Sequence, residues 1–465
     1  MKSFTRFFFE PLPGSGTNPA ALTPVAQGER ITILDSVRGI ALLGILLMNI
    51  MVFALPQQLM MNIYIRNELS GPNYYLWWIT GGIFEGTMRG LFTLLFGAGC
   101  LLLIQRLEKK QPGLYVADIY YRRLIWLLLF GLLNAFVFLW FGDILYSYAI
   151  CGLFLFPFRK MKAGWLLGLG ILLMCISTFK STLDIYSAKA IRVKGQKIEV
   201  LLKKNPDLKL TETQQAEKTK WETFKERSKI ENLRKKVDES IKDMHKGYFS
   251  IMGTVKDMNV RIQSSLFYTE YFWDIMCLLL IGMALFKWGV LTGERSKRFY
   301  WIMMLTGYAL GLSAGIYELM AMFHTRFDYT RMADRIGIFY YHEKRLFTTL
   351  GHLGAIMLLY KYGIARAFLN SMAKVGQMAF TNYLAQSIIC AFIFLGFGLG
   401  KYGELQRYQV YLVMAGIWVF QVIFSMIWLR YFYFGPFEWV WRSLTYWKKQ
   451  PMRKPGAATV QPTLA

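Results

Sequence analysis

Asp35 and Arg38 stand three residues apart at the start of an apolar run, "ILDSVRGIALLGILLMNIM", residues 33–51. On a helix that spacing puts acid and base on one face, and Asn49 follows deeper along the same run. Charges and amides in apolar surroundings need a partner or line a site. Further groups of this kind are Asn134, Asn382, Gln386, Gln421 and His352, with Asp143 and Glu438 at run ends. Interhelical hydrogen bonding is the ordinary role for each taken singly. Depth singles out three. Asn49 lies about 9 Å from one end of its helix, and His352 about 6–8 Å below the same end of another, at 1.5 Å per residue. Asp143, in the hairpin at that end, can cap the helix that follows it. These three are the candidates for one shared pocket. The polar groups carry no soluble-enzyme signature, since no P-loop, GxSxG, zincin or kinase pattern is present. The five cysteines form no CxxC pair and the four histidines no HxxxH pair, so no metal is assigned.

The elements that must hold these groups are membrane helices. Of the 465 residues, 55% are hydrophobic and 17% aromatic. Mean hydropathy is +0.31. The apolar residues gather in runs of about 20, enough to span a hydrocarbon core of about 30 Å. About ten spans are expected by this length criterion, near 37–55, 78–105, 124–140, 144–158, 165–179, 271–289, 299–323, 347–362, 379–398 and 408–429. A net charge of +25 in a soluble protein would suggest nucleic acid. Here the basic residues flank apolar runs, which points to topology and anionic lipid, with no nucleic acid partner.

If the ten spans alternate, Arg38, Arg106, Arg122, Arg123, Arg159, Arg295, Lys361 and Lys448 all fall on one side. The positive-inside rule makes that side the cytoplasm, with both termini inside a bacterial inner membrane. The first 30 residues lack a secretory-signal pattern, so the first run is expected to be an uncleaved anchor. The expected division is a cytoplasmic tail (1–30), a membrane half (31–180), an outer helical insert (181–270), a second membrane half (271–450) and a flexible cytoplasmic tail (451–465). In the insert, Ile230, Leu233, Val237, Ile241, Met244, Tyr248 and Ile251 recur at spacings of three and four, an amphipathic helix with a narrow apolar seam. Packing on the chain's own outer surface is the plainer role for the seam; self-association as a homo-oligomer or a substrate lid are the alternatives. "YFYFGPFEWVWRSLTYWKK" reads as an aromatic, then basic, interfacial helix. Gly307, Gly311 and Gly315 form a close-packing ladder.

The opening stretch, "GDILYSYAICGLFLFPFR" and the closing pieces "TNYLAQS" and "GPFEWVWR" together resemble the YeiB-like bacterial multipass membrane proteins. The N-terminal half is similar to the wider transmembrane acyltransferase superfamily, which includes heparan-alpha-glucosaminide N-acetyltransferase and shares an "LDxxRG" opening. The resemblance implies an all-α polytopic fold. It also implies transfer of an acyl group from cytoplasmic acyl-coenzyme A to an extracytoplasmic sugar, lipid or envelope acceptor. In that reading Arg38, Arg122, Arg123 and Arg159 meet the donor phosphates, and Asn49 stabilises the thioester oxyanion. The segment "PQQLMMNIYIRNELSGPNYYLWW" has no histidine where the acetyltransferase places its own, so His352 would take the acceptor's proton. Asp143 completes the expected catalytic set. The rival functions are a transporter or lipid-handling protein without the chemistry, and a membrane scaffold acting through its outer insert.

Overall fold

The computed structural model describes residues 31–110 and 113–454. The expected N-terminal tail and most of the C-terminal one lie outside the described residues. The architecture is all helical; among the described residues the β-structure is one isolated bridge, Phe432 with Arg453. Helix α1 (Thr32–Ala54) is 23 residues long and stops at Leu55, as expected before Pro56. Helix α2 (Gly71–Lys110) is interrupted by a π turn, Thr80–Phe84, and by Gly86 at φ +72. Helices α3 (Leu114–Phe136) and α4 (Leu145–Leu153) form a hairpin. Helix α5 (Ala163–Lys204) runs unbroken for 42 residues from the membrane into the insert. The insert continues as α6 (Glu212–Ser228) and α7 (Ile230–Met244), and returns along α8 (Tyr248–Lys287). Helices α9 (Lys297–His324) and α10 (Tyr341–Tyr362) follow, then α11 (Arg366–Gln377) and α12 (Ala379–Phe394), bent 78° from each other. The chain ends with α13 (Arg407–Tyr431) and the short α14 (Pro436–Tyr446).

Six helices are long and apolar enough to cross a membrane, or seven if the bent pair α11–α12 counts as one span. The protein is therefore a polytopic helical membrane protein, with fewer such spans than the ten expected. The fourth apolar run is a nine-residue helix followed by a 3-10 turn, Phe156–Lys160, with Pro157 near its start. The eighth opens with His342, Glu343, Lys344 and Arg345, whose charges an apolar-run reading does not accommodate.

Packing brings the basic loops to one end. Lys287 donates to the carbonyls of Arg159 (2.8 Å) and Met161 (2.6 Å), and Arg159 pairs with Glu108 at 3.0 Å. Arg122 reaches the Thr445 carbonyl at 3.2 Å, which seats α14 at the same end. The insert sits at the other end, where Arg234 donates to the Ile65 carbonyl and Tyr248 to that of Val137. Most of its seam is buried within the chain, while Ile230 at its start is exposed. Val237 is in the core, Leu233, Ile241 and Met244 pack against it, and Ile251 is fully enclosed. The helix expected over the whole seam breaks between Met244 and Tyr248, at a turn ending in Gly247.

The ladder Gly307, Gly311 and Gly315 sets α9 close on α10: a Cβ at Gly307 would stand 2.6 Å from the Gly351 nitrogen. Gly86 performs a similar task for α2. A Cβ there would lie 2.8 Å from Arg345 Cδ, and its positive φ turns the chain sharply.

Candidate functional site

A cavity of about 270 Å³ opens at the basic end. Its mouth is formed by the start of α1, the end of α2, the start of α3 and α14, which bring Arg38, Arg106, Arg123 and Arg442 together. Arg38 pairs with Asp35 at 2.7 Å, so the two groups opening the first apolar run stand at this entrance. The Arg123 guanidinium lies 3.7 Å over the Trp441 ring, and the Trp441 indole N–H donates to the Arg123 carbonyl at 2.9 Å. That double contact holds an arginine in a fixed orientation on an aromatic platform. Below the mouth the walls are apolar, with Phe92, Leu95, Phe96 and Leu127.

The deep end is polar again. Asp143 accepts from the Tyr146 backbone N–H (2.8 Å), from the Asn134 amide (2.8 Å) and from the Tyr383 hydroxyl (3.4 Å). The first of these caps α4. Tyr383 itself faces the cavity, beside Tyr148. Tyr148 and Thr93 share a 2.5 Å hydroxyl contact, and Tyr148 also donates to the Arg89 carbonyl at 3.4 Å.

Arg89 is where a second cavity begins. This space, about 340 Å³, lies between α5, α8 and α10 and is lined by Arg89, Ser181, Glu270, Trp273, Asp274 and His342, among others. The Asp274 carboxylate takes both terminal nitrogens of Arg345, one at 2.7 Å, and accepts from His342 Nδ1–H at 2.8 Å. Arg89 stands 3.8 Å away. Next to this centre, Lys344 bridges Glu318 (2.8 Å) and Glu85 (3.7 Å). Fork-to-carboxylate pairing with added hydrogen bonds lets such charges remain inside a membrane fold. The two cavities are thus separated by one layer, Tyr148 and the Arg89–Thr93 turn of α2.

The expected site residues divide as follows. Arg38 and Arg123 line the first cavity's mouth, and Asp143 backs its deep end. Arg122 turns to Asp118 and Thr445, and Arg159 to Glu108 and the Phe156 carbonyl; neither lines the cavity. His352 is enclosed between α9 and the π turn of α2. It accepts from the Tyr308 hydroxyl at 3.0 Å and donates from Nε2 to the Ile83 carbonyl at 3.3 Å. Both ring nitrogens are used, and it lines neither cavity. Asn49 is half-buried on α1 and also lines neither. Asn49, His352 and Asp143 are therefore not brought into one pocket. Asn382 bonds Ser425, and Gln386 bonds Gln421, which are helix-to-helix ties.

Residues 285–448 match the family described as protein of unknown function (DUF418). The Bacillus subtilis (strain 168) protein YxaH, described as uncharacterized, is 29% identical over 442 residues, covering 94% of this chain and 99% of its own. The Escherichia coli (strain K12) protein YeiB, also described as uncharacterized, is 27% identical over 439 residues, covering 90% and 96%. The chain is thus similar, over nearly its whole length, to YxaH and YeiB. A 39.9 kDa protein from the amylase 3' region of Bacillus acidopullulyticus is 25% identical over 436 residues, or 93% of this chain. No solved structure matches. The family-matched segment carries His342, Arg345, Tyr383 and Glu438, while Asp274, Arg38 and Asp143 lie before it.

The Asp274 centre is what sequence reasoning missed. Its signal was present: "FWDIMCLLL" puts an acid inside an apolar run, and "YHEKRLF" places four titratable residues at the start of another. An intramembrane acid facing a basic helix end is a pairing to look for.

Proposed function

We propose that this protein is a membrane acyltransferase that takes an anionic acyl donor, of the acyl-coenzyme A type, into the cavity at its basic end. One observation carries the reading: an arginine-rimmed, apolar-walled cavity ends one helix layer short of a second, polar cavity facing the other end. Arg38 and Arg123 supply planar forks for phosphate oxygens. The apolar walls suit an acyl chain, and the polar deep end of Tyr148 and Tyr383 suits the carbonyl it carries. With the basic end in the cytoplasm of the inner membrane, the donor enters from the cytoplasm and the second cavity faces out. Acyl transfer needs hydroxyl or amide donors at the developing oxyanion, and the tyrosine hydroxyls of the deep end can turn to it from the Asp143 carboxylate and the Arg89 carbonyl.

Lipid handling is the second reading, because the same mouth and walls would take a phospholipid. A structure of the protein in a lipid nanodisc with a non-hydrolysable acyl-coenzyme A analogue separates them. Donor phosphates against Arg38 and Arg123 support the transferase; a phospholipid there, undisplaced by millimolar analogue, supports lipid handling.

A further inference from the structure

We propose that the cavity between α5, α8 and α10 is the acceptor site, that His342 is its general base, and that the acceptor is a carbohydrate hydroxyl. This deepens, and rests on, the acyltransferase reading.

The geometry starts at Asp274. Its Oδ1 accepts from His342 Nδ1–H at 2.8 Å, which fixes the tautomer and leaves Nε2 as the basic nitrogen. That nitrogen lies 3.3 Å from the Ser181 hydroxyl, on the cavity wall. A base oriented by a buried carboxylate, with its other nitrogen held by a hydroxyl on a cavity wall that an acceptor hydroxyl can replace, is the arrangement that activates a hydroxyl nucleophile. Arg345 pairs with both oxygens of Asp274, which fixes the carboxylate that orients the ring. His352, by contrast, lines neither cavity.

The cavity's chemistry points to the acceptor class. Trp273, Tyr271 and Tyr341 supply aromatic faces, while Ser177, Ser181 and the Glu270 carboxylate supply hydroxyl partners. Aromatic faces interleaved with short polar groups suit the C–H faces and hydroxyl edges of a sugar ring. Lys180, tied to Glu270 at 2.7 Å, joins α5 to α8 at the cavity wall.

In the transfer, the Tyr148 side chain between the two cavities turns aside, and the acceptor O–H gives its proton to His342 Nε2 as its oxygen bonds to the thioester carbonyl carbon. The C–S bond then breaks, and the leaving thiolate takes the proton from the imidazolium. The products are an ester and a free thiol, with no net redox change.

The test uses full-length protein in nanodiscs with radiolabelled acetyl-coenzyme A and longer acyl homologues, and a panel of free hexoses plus octyl glucoside as acceptors. Donor binding and acyl-sugar formation are read separately. His342→Gln should bind donor as wild type does and lose about a hundredfold or more of the transfer rate. Ser181→Trp, which fills the cavity beside the base, should raise the acceptor KM at least tenfold with donor binding unchanged; it decides the matter if His342→Gln fails to fold. Transfer within threefold of wild type in both variants would overturn the proposal. So would wild-type donor binding with no acyl-sugar across the panel, which leaves the donor reading standing. Absence of donor binding in wild type removes the acyltransferase reading and this site together.

Discussion

Glu438 reaches from α14 to the first turn of α12, where its Oε1 accepts from the backbone N–H groups of Phe380 (2.7 Å) and Thr381 (3.0 Å). Its other oxygen accepts from the Thr381 hydroxyl, which in turn accepts from the Phe437 N–H at 3.0 Å. The two helix starts therefore cap each other. The 78° bend between α11 and α12 exposes backbone donors at the new helix start, and a carboxylate at that positive end satisfies them. Because Glu438 and Trp441 also line the cavity mouth, α14 is part of the site's frame.

Glu438→Ala should accordingly destabilise the protein by about 3 kcal/mol, the usual scale for losing buried charge-assisted bonds. Thermal unfolding in nanodiscs reads this, and an unchanged Tm would show that α12 keeps its start without the cap.

The buried pair of Asp274 and Arg345 makes a different demand. Arg345→Met should cost about 3–5 kcal/mol, since it leaves a carboxylate uncompensated inside the helices. Adding Asp274→Asn should recover a large part of that loss. A double-mutant cycle measures the recovery; strictly additive losses would mean that the two groups do not depend on each other.

In the insert, Val237→Lys with Ile241→Lys should either unfold α7 or lower Tm by several degrees. Both side chains belong to its packed seam, and Ile241 lies against Gly403. Protease protection of the insert, unchanged between variant and wild type, would argue against the packing.

Topology is tested with a cysteine at Lys220 in a protein whose exposed Cys175 is replaced by Ser. An impermeant maleimide should label it in intact cells, because the basic loops gather at the opposite end. Labelling only after lysis would reverse the orientation.

Helix order, the basic end, the amphipathic insert and the short helix after Gly435 were all legible in the sequence, because each rests on local period or local charge. Asp143 was legible as a cap for the same reason. What the sequence concealed was rotation. Whether His352 or His342 faces an open space depends on how α10 turns against α2, α5, α8 and α9, and that angle follows from the glycine contacts of Gly86, Gly307 and Gly311. Hydropathy also does not show that "HEKR" finds its countercharges on α2, α8 and α9.

The central claim is that the arginine-rimmed cavity holds an anionic acyl donor, and equilibrium binding of acyl-coenzyme A to the protein in nanodiscs tests it most directly. The account predicts saturable binding that Arg38→Ala weakens about tenfold, roughly 1.4 kcal/mol for a lost phosphate contact. Arg159→Ala, on a side chain outside the cavity, should leave binding unchanged. Absence of binding at every acyl-chain length, or equal binding in wild type and Arg38→Ala, would contradict it.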